Sequence, residues 1–132
     1  MGPIADPRVR QIKRLWAAYE GGGVEALRDL VDEDVTWLPY GAGGQTLHGF
    51  EELRGYLTGR QDRVEAETYS FESHGDAVLV TGHLRLRAGV SLTDTQLYWI
   101  YHFHDERLVR FEAHTDRQAA LNSSSHSAQR SD

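Results

Sequence analysis

The chain contains no cysteine, and its acidic residues outnumber its basic ones. Without cysteine there is no disulfide, no thiolate nucleophile and no zinc site that depends on sulfur ligands. The 132 residues include 14 Lys and Arg against 20 Asp and Glu, which gives a net charge of -6. Because a negative protein creates no field that attracts phosphate backbones or anionic lipids, we expect neither a nucleic-acid partner nor a membrane partner.

The sequence also lacks a long hydrophobic run. No apolar stretch approaches the roughly 20 residues of a membrane-spanning helix, and the N-terminal MGPIADPRVR has no apolar core of a secretion signal. We therefore expect a cytoplasmic protein. With 39% hydrophobic and 26% charged residues, the composition is that of a soluble globular protein. We predict one domain over residues 1–121 and a disordered tail over residues 122–132, where the sequence is polar and has no periodicity.

Helical spacing of apolar residues characterises the first half of the chain. Val9, Ile12, Trp16 and Tyr19 recur every three or four residues and predict an amphipathic helix that ends at the glycine run 21–23. A short second helix and a third helix are predicted by the same spacing. Their apolar positions are Val24, Leu27, Leu30 and Val31 in the second helix, and Phe50, Leu53, Tyr56 and Leu57 in the third. The segment VTWLP between them predicts a short strand.

The second half of the chain changes to a period of two. Four segments alternate in polarity or are rich in β-branched and aromatic residues: AETYSFES, AVLVTGHLRLR, TQLYWIYHFH and RLVRFEAHT. Because short turns connect them, they predict an antiparallel meander. A strongly curved sheet cannot fill its own concave face, so we expect the three N-terminal helices to pack there. The fold class predicted is α+β.

Several of these stretches together resemble one family. The segments are LWAAYEGGGVEALRDLVDEDVTWLPYGAGGQTLHGFEELRGYL, HGDAVLV and YHFHDERLVRFEAHTD. Their order and spacing over Val9 to Asp116 are similar to the SnoaL-like, ketosteroid isomerase-like branch of the nuclear transport factor 2-like superfamily. The resemblance implies a cone-shaped α+β barrel with a deep pocket between helices and sheet, and a homodimer formed through the outer face of the sheet.

The same resemblance implies a small-molecule ligand but does not select a reaction, because the family includes isomerases, cyclases, hydrolases and members without an assigned activity. Ketosteroid isomerases carry their general-base aspartate at the position of Leu38, and a leucine cannot accept a proton. Their second acid falls near Trp99 in this chain. We therefore expect a cofactor-independent pocket protein for an apolar cyclic metabolite, either an isomerase, cyclase or hydrolase, or a noncatalytic ligand-binding or dimerisation module.

The pocket is predicted from the faces that periodicity and the resemblance turn inward. The expected ligand-binding residues are Trp16, Trp37, Tyr40, Tyr56, Trp99 and Phe111. Tyr101 and Tyr19 are the expected hydrogen-bond donors to a developing oxyanion. Glu67 is the expected proton-transfer group, because Glu65 and Glu67 share the strand parity of Tyr69 and Phe71 and a carboxyl beside aromatic rings has a raised pKa. The alternative is that both glutamates are solvated.

Polar residues fall on the other face of the predicted sheet. This outer set comprises His83, Arg85, Tyr98, His102, Glu112 and His114. On that face they are expected to form cross-strand polar pairs, and no metal site is expected. If the parity were reversed, His83, His102 and Glu112 would instead face the pocket.

Overall fold

The computed structural model describes residues 7–39, 45–58 and 63–129. Helix α1 (Pro7–Gly22) buries Ile12 and Leu15. It is followed by Gly23, whose positive φ of 73° favours glycine. A single 3₁₀ turn (Val24–Leu27) follows, and helix α2 spans Phe50–Thr58. The three predicted N-terminal helical segments are thus present, although the second is only one turn long.

Six strands form one open, curved sheet in the described part of the chain. They are β1 (Val31–Leu38), β2 (Leu47–His48), β3 (Arg63–His74), β4 (Ala77–Ala88), β5 (Ser91–His104) and β6 (Arg107–His114). Their order is β2-β1-β6-β5-β4-β3, and β3 to β6 form the predicted antiparallel meander. Strand β1 runs parallel to β6, so the sheet is mixed. The predicted α+β fold is confirmed.

The two faces of the sheet bury different partners. The inner face packs against the helices, and Trp99, Tyr101 and Phe111 are all buried there. On the outer face, Leu79 and Ile100 are fully buried in a smaller second cluster. Hence the parity predicted for β4 and β5 holds, and the outer set of polar residues lies on the face away from the helices.

A bulge in β3 changes which residues face inward. Thr68 pairs with Gly82 and Ser70 with Thr81, so Tyr69 is an extra residue between them. Such an extra residue reverses the alternation along the strand. Phe71 therefore packs against the inner core, whereas Glu67, although it has the same parity in sequence, faces the outside of the sheet.

A third helix, α3, spans Arg117–Gln129 and covers part of the outer face. It begins where the Asp116 carboxylate accepts a hydrogen bond from the Ala119 N–H at 2.8 Å. Ala120 is fully buried in the outer cluster. The helix continues through residues 122–129, where the sequence led us to expect a disordered tail.

Among the residues that the structure describes, no helix combines the length and the apolar composition that crossing a membrane would require.

Candidate ligand cavity

A cavity of about 80 Å³ lies between the helices and the inner face of the sheet. Its wall is almost entirely apolar. The residues that line it are Leu15, Trp16, Tyr19, Leu27, Trp37, Pro39, Tyr56, Leu57, Leu84, Trp99, Tyr101, Phe111 and Ala113. These come from α1, the 3₁₀ turn, the end of β1, α2 and the strands β4, β5 and β6, so elements far apart in the sequence build the cavity together.

Aromatic rings form most of the wall and hold one another in place. Trp37 stacks on Phe111 with ring centroids 4.2 Å apart, because the parallel pairing of β1 with β6 sets the two residues side by side. The Tyr101 ring meets Phe111 edge-on at 5.1 Å, and the Trp16 ring meets Trp99 edge-on at 6.0 Å. Contacts of this kind stabilise beyond the area they bury, which favours a pre-formed cavity.

A hydrogen bond joins two side chains of the apolar wall. The Trp16 indole N–H donates to the Tyr101 hydroxyl oxygen at 2.8 Å. Burial raises the pKa of the Tyr101 phenol far above its usual value, and the hydrogen bond from Trp16 offsets only part of that rise. Tyr101 is therefore neutral at physiological pH, and its proton has no acceptor among the described residues. It is available to a ligand.

Most of the residues predicted for the site come together around this cavity. Those that line it are Trp16, Tyr19, Trp37, Tyr56, Trp99, Tyr101 and Phe111. Tyr40, also predicted, lies outside the described residues. That these side chains bind a ligand stays a prediction, but the convergence itself is what their helical and strand spacing indicated.

Glu67, the predicted proton-transfer group, does not reach the cavity. Its side chain is 58% exposed on the outer face, and its carboxylate lies 3.6 Å from the Arg85 guanidinium. The cause is the bulge at Tyr69, which turns Glu67 away from the face occupied by Phe71. Of the two possibilities considered for this glutamate, the structure shows the solvated one.

Other lining residues were not predicted as part of the site. Leu27 and Leu57 are positions on the apolar helical faces, and Leu84 has inward strand parity, so a signal for each was present in the sequence. Ala113 has the same strand parity as Phe111, which the family resemblance turns inward, whereas Pro39 had no comparable signal. Aliphatic residues were not singled out because the same spacing also describes ordinary core positions.

Gly82 gives Trp99 the space to form its part of the wall. A Cβ at this position would lie 2.2 Å from the Glu67 carbonyl oxygen and 2.9 Å from Trp99 Cζ3. Neither distance is possible for a real Cβ. The glycine therefore allows the bulged strand β3 and the Trp99 ring to approach β4 closely.

Several polar residues of the outer face, among them Glu112, His114 and His83, form ion pairs away from the cavity. Glu112 is 1% exposed and accepts hydrogen bonds from Arg110, from Ser123 of α3 and, at 2.9 Å, from His114. Burial raises the pKa of Glu112, but these three partners outweigh it and hold the pKa at about 2. His83 bonds Asp94 at 2.8 Å. In the described residues no group of three His, Asp or Glu side chains is placed to hold a metal ion.

Comparison with known families gives one match over most of the chain. The SnoaL-like domain family matches residues 12–111. No curated protein sequence matches the chain significantly.

Solved structures with the same fold cover nearly the whole chain at low sequence identity. A protein of unknown function from Burkholderia pseudomallei, of the nuclear transport factor 2-like type, is 19% identical with a TM-score of 0.71, covering 89% of this chain and 97% of its own. A proposed SnoaL-like polyketide cyclase from Jannaschia is 16% identical with a TM-score of 0.70, covering 92% and 96%. An epoxide hydrolase-like structure from M. tuberculosis is 14% identical with a TM-score of 0.69, covering 86% and 85%. At these identities the similarity is one of fold.

Proposed function

The chain belongs to the SnoaL-like domain family, and from that premise we propose that it binds a small, flat, largely apolar ring compound in the cavity between helices and sheet. The cavity volume of about 80 Å³ is small beside the roughly 300–1,000 Å³ of pockets that take drug-sized molecules. A single ring therefore fits the wall better than a multi-ring compound. The stacked and edge-on aromatic side chains suit the faces and edges of such a ring.

The observation that supports this proposal most directly is the neutral phenol of Tyr101 in an apolar wall. The Tyr101 hydroxyl oxygen accepts the hydrogen bond from Trp16, so the hydroxyl proton can be donated to the ligand. A ligand with one hydrogen-bond acceptor, such as a carbonyl oxygen, satisfies that donor. Since a buried donor without a partner is costly, the acceptor contributes to selectivity as well as to affinity.

The binding function is better supported than acid–base catalysis. A proton-transfer reaction requires a group in the cavity that ionises near the working pH. Among the described lining residues the only oxygen or nitrogen side-chain groups are tyrosine phenols and tryptophan indoles, and burial keeps Tyr101 protonated. The chain therefore fits a noncatalytic ligand-binding member of its family.

Two ring compounds of similar shape test the proposal by isothermal titration calorimetry. Acetophenone offers a carbonyl acceptor, and isopropylbenzene replaces that oxygen with a methyl group. Tyr101→Phe should weaken acetophenone binding roughly fivefold, the effect of one net hydrogen bond, and leave isopropylbenzene unchanged. Tyr101→Phe also leaves the Trp16 indole N–H without its acceptor, so this N–H could donate to acetophenone in place of the phenol. The double variant Tyr101→Phe with Trp16→Phe removes both donors and is therefore the control for this effect. If neither compound binds the wild-type protein at millimolar concentration, the proposal is wrong.

A further inference from the structure

A second cavity shares Trp16 with the first. It has a volume of about 200 Å³ and opens to the surface between helix α1 and strand β3. Lys13, Ala17 and Glu20 line it from the helix, and Ala66, Thr68 and Phe71 from the strand. Within the described residues, Trp16 is the one side chain that lines both cavities.

Trp16 lines both spaces and packs against the inner core. Its side chain is only partly buried. The indole makes one hydrogen bond, to Tyr101, and one edge-on ring contact, to Trp99. Because Trp16 lines both cavities, rotation of its side chain would break that hydrogen bond and change the wall that the two cavities share.

The second cavity differs from the first in its chemistry. The Thr68 hydroxyl has no hydrogen-bond partner among the described residues. Thr68 faces inward because it lies before the bulge and pairs with Gly82 on the inner face of β4. The Lys13 ammonium lies 5.5 Å from the centre of the Phe71 ring, and Glu20 supplies a carboxylate at the same opening. This wall thus suits an uncharged polar group with hydroxyl character, whereas the first cavity suits a ring.

We propose that the two cavities are the two halves of one elongated ligand site, with Trp16 as a movable partition between them. The ligand class is a ring compound that carries an alkyl chain ending in a hydroxyl group. The ring lies in the apolar cavity, the chain passes the displaced indole, and the hydroxyl reaches Thr68. The placement of the ring in the first cavity rests on the proposed function, whereas the placement of the alkyl chain and hydroxyl in the second cavity does not.

A series of phenylalkan-1-ols, from benzyl alcohol to 6-phenylhexan-1-ol, tests the site on the full chain by calorimetry. Affinity should rise about fourfold for each methylene that enters the second cavity. Thr68→Val keeps the side-chain shape and removes the hydroxyl. It should weaken the long alcohols roughly fivefold and leave benzyl alcohol unchanged.

A second variant narrows the same space from the helix. Ala17 is exposed on α1, so Ala17→Leu should fold normally while occupying room that the alkyl chain needs. The long alcohols should lose at least tenfold in affinity, whereas benzyl alcohol should not. Ala119→Leu, an equivalent substitution at an exposed position of α3, is the matched control and should affect neither.

Movement of the partition has its own spectroscopic signature. The chain has three tryptophans, and the indole N–H signal of Trp16 in a ¹⁵N–¹H spectrum can be assigned through Trp16→Phe. Saturation with 6-phenylhexan-1-ol should shift this signal strongly because the hydrogen bond to Tyr101 breaks. Benzyl alcohol should shift it less, because the hydrogen bond to Tyr101 stays intact.

The outcomes separate the two proposals. If benzyl alcohol binds but affinity does not depend on chain length, on Thr68 or on Ala17, the elongated site is refuted and the ring cavity stands. The same holds if the long alcohols bind while the Trp16 signal stays in place. If no member of the series binds, the elongated site is refuted, and the binding of acetophenone decides the ring cavity separately.

Discussion

Replacing Gly82 with alanine should destabilise the protein by about 3 kcal/mol. The added Cβ would lie 2.2 Å from the Glu67 carbonyl oxygen, 2.9 Å from Trp99 Cζ3 and 3.0 Å from the Thr68 Cα. Two of these three atoms belong to the backbone, so they cannot rotate away. Overpacking of a core typically costs ~1–3 kcal/mol, and we expect the upper end because β3 itself has to move away from β4.

A second glycine provides the matched control. Gly55 lies within α2, and a Cβ there meets nothing within 4 Å. Gly55→Ala should therefore stabilise the protein by about 0.5–1 kcal/mol, since alanine loses less backbone entropy on folding and is the better helix former. The gain in backbone entropy applies to both variants, and only Gly82→Ala also has the steric clash.

Urea denaturation followed by far-ultraviolet circular dichroism measures both free energies of unfolding. The thermal midpoint of the Gly82 variant should fall by roughly 10 °C. Its affinity for acetophenone should also decrease, because the new methyl group pushes the Trp99 ring toward the cavity. An unfolding free energy for Gly82→Ala within about 0.5 kcal/mol of the wild-type value would refute the close approach of β3 and β4 at the bulge.

Four further predictions follow from the fold and its charges. Glu112 has a pKa of about 2 in the folded chain against 4.5 for an ordinary glutamate. Its contribution to stability is therefore complete above a pH of about 4.5 and is lost as the pH falls toward 2. In Glu112→Gln, the free energy of unfolding measured in urea should depend less on pH across that range. Glu67→Gln should leave acetophenone affinity within about twofold of wild type, because the side chain lies outside the cavity, and a larger loss would contradict its placement. Asp105 and Glu106 both have positive φ in the turn between β5 and β6, so Glu106→Gly should raise the unfolding free energy by about 0.5–1 kcal/mol, and a lower value would contradict the turn geometry. Sedimentation at micromolar concentration should find a homodimer, since the outer face keeps exposed hydrophobic side chains beyond α3; a monomer alone would contradict this.

The fold and most of the cavity wall could be predicted because long periodic segments determine them. The alternation in β4 and β5 places Trp99 and Tyr101 on the inner face, and the helical spacing in α1 places Trp16 opposite them. Burial of large apolar side chains is strongly favourable, so such patterns are seldom overridden by local effects.

The errors arise where one local event outweighs the pattern. The bulge at Tyr69 inserts a single residue and reverses the alternation of the strand. The sequence VEAETYSF does not indicate where this reversal occurs, so the sequence-based prediction placed Glu67 on the wrong face. Helix α3 was missed for another reason. Its polar sequence has almost no apolar periodicity, and its place on the sheet depends on contacts such as Ala120 in the outer cluster and Ser123 with Glu112.

The position of the tryptophans makes this protein its own optical probe. All three indoles of the chain lie in the wall of one cavity, so its ultraviolet emission originates almost wholly there. Trp16 and Trp99, with ring centroids 6.0 Å apart, are close enough to exchange excitation energy. A compound that enters the cavity should therefore quench or shift the emission without any label. Events on the outer face, such as the detachment of α3, should leave the spectrum nearly unchanged.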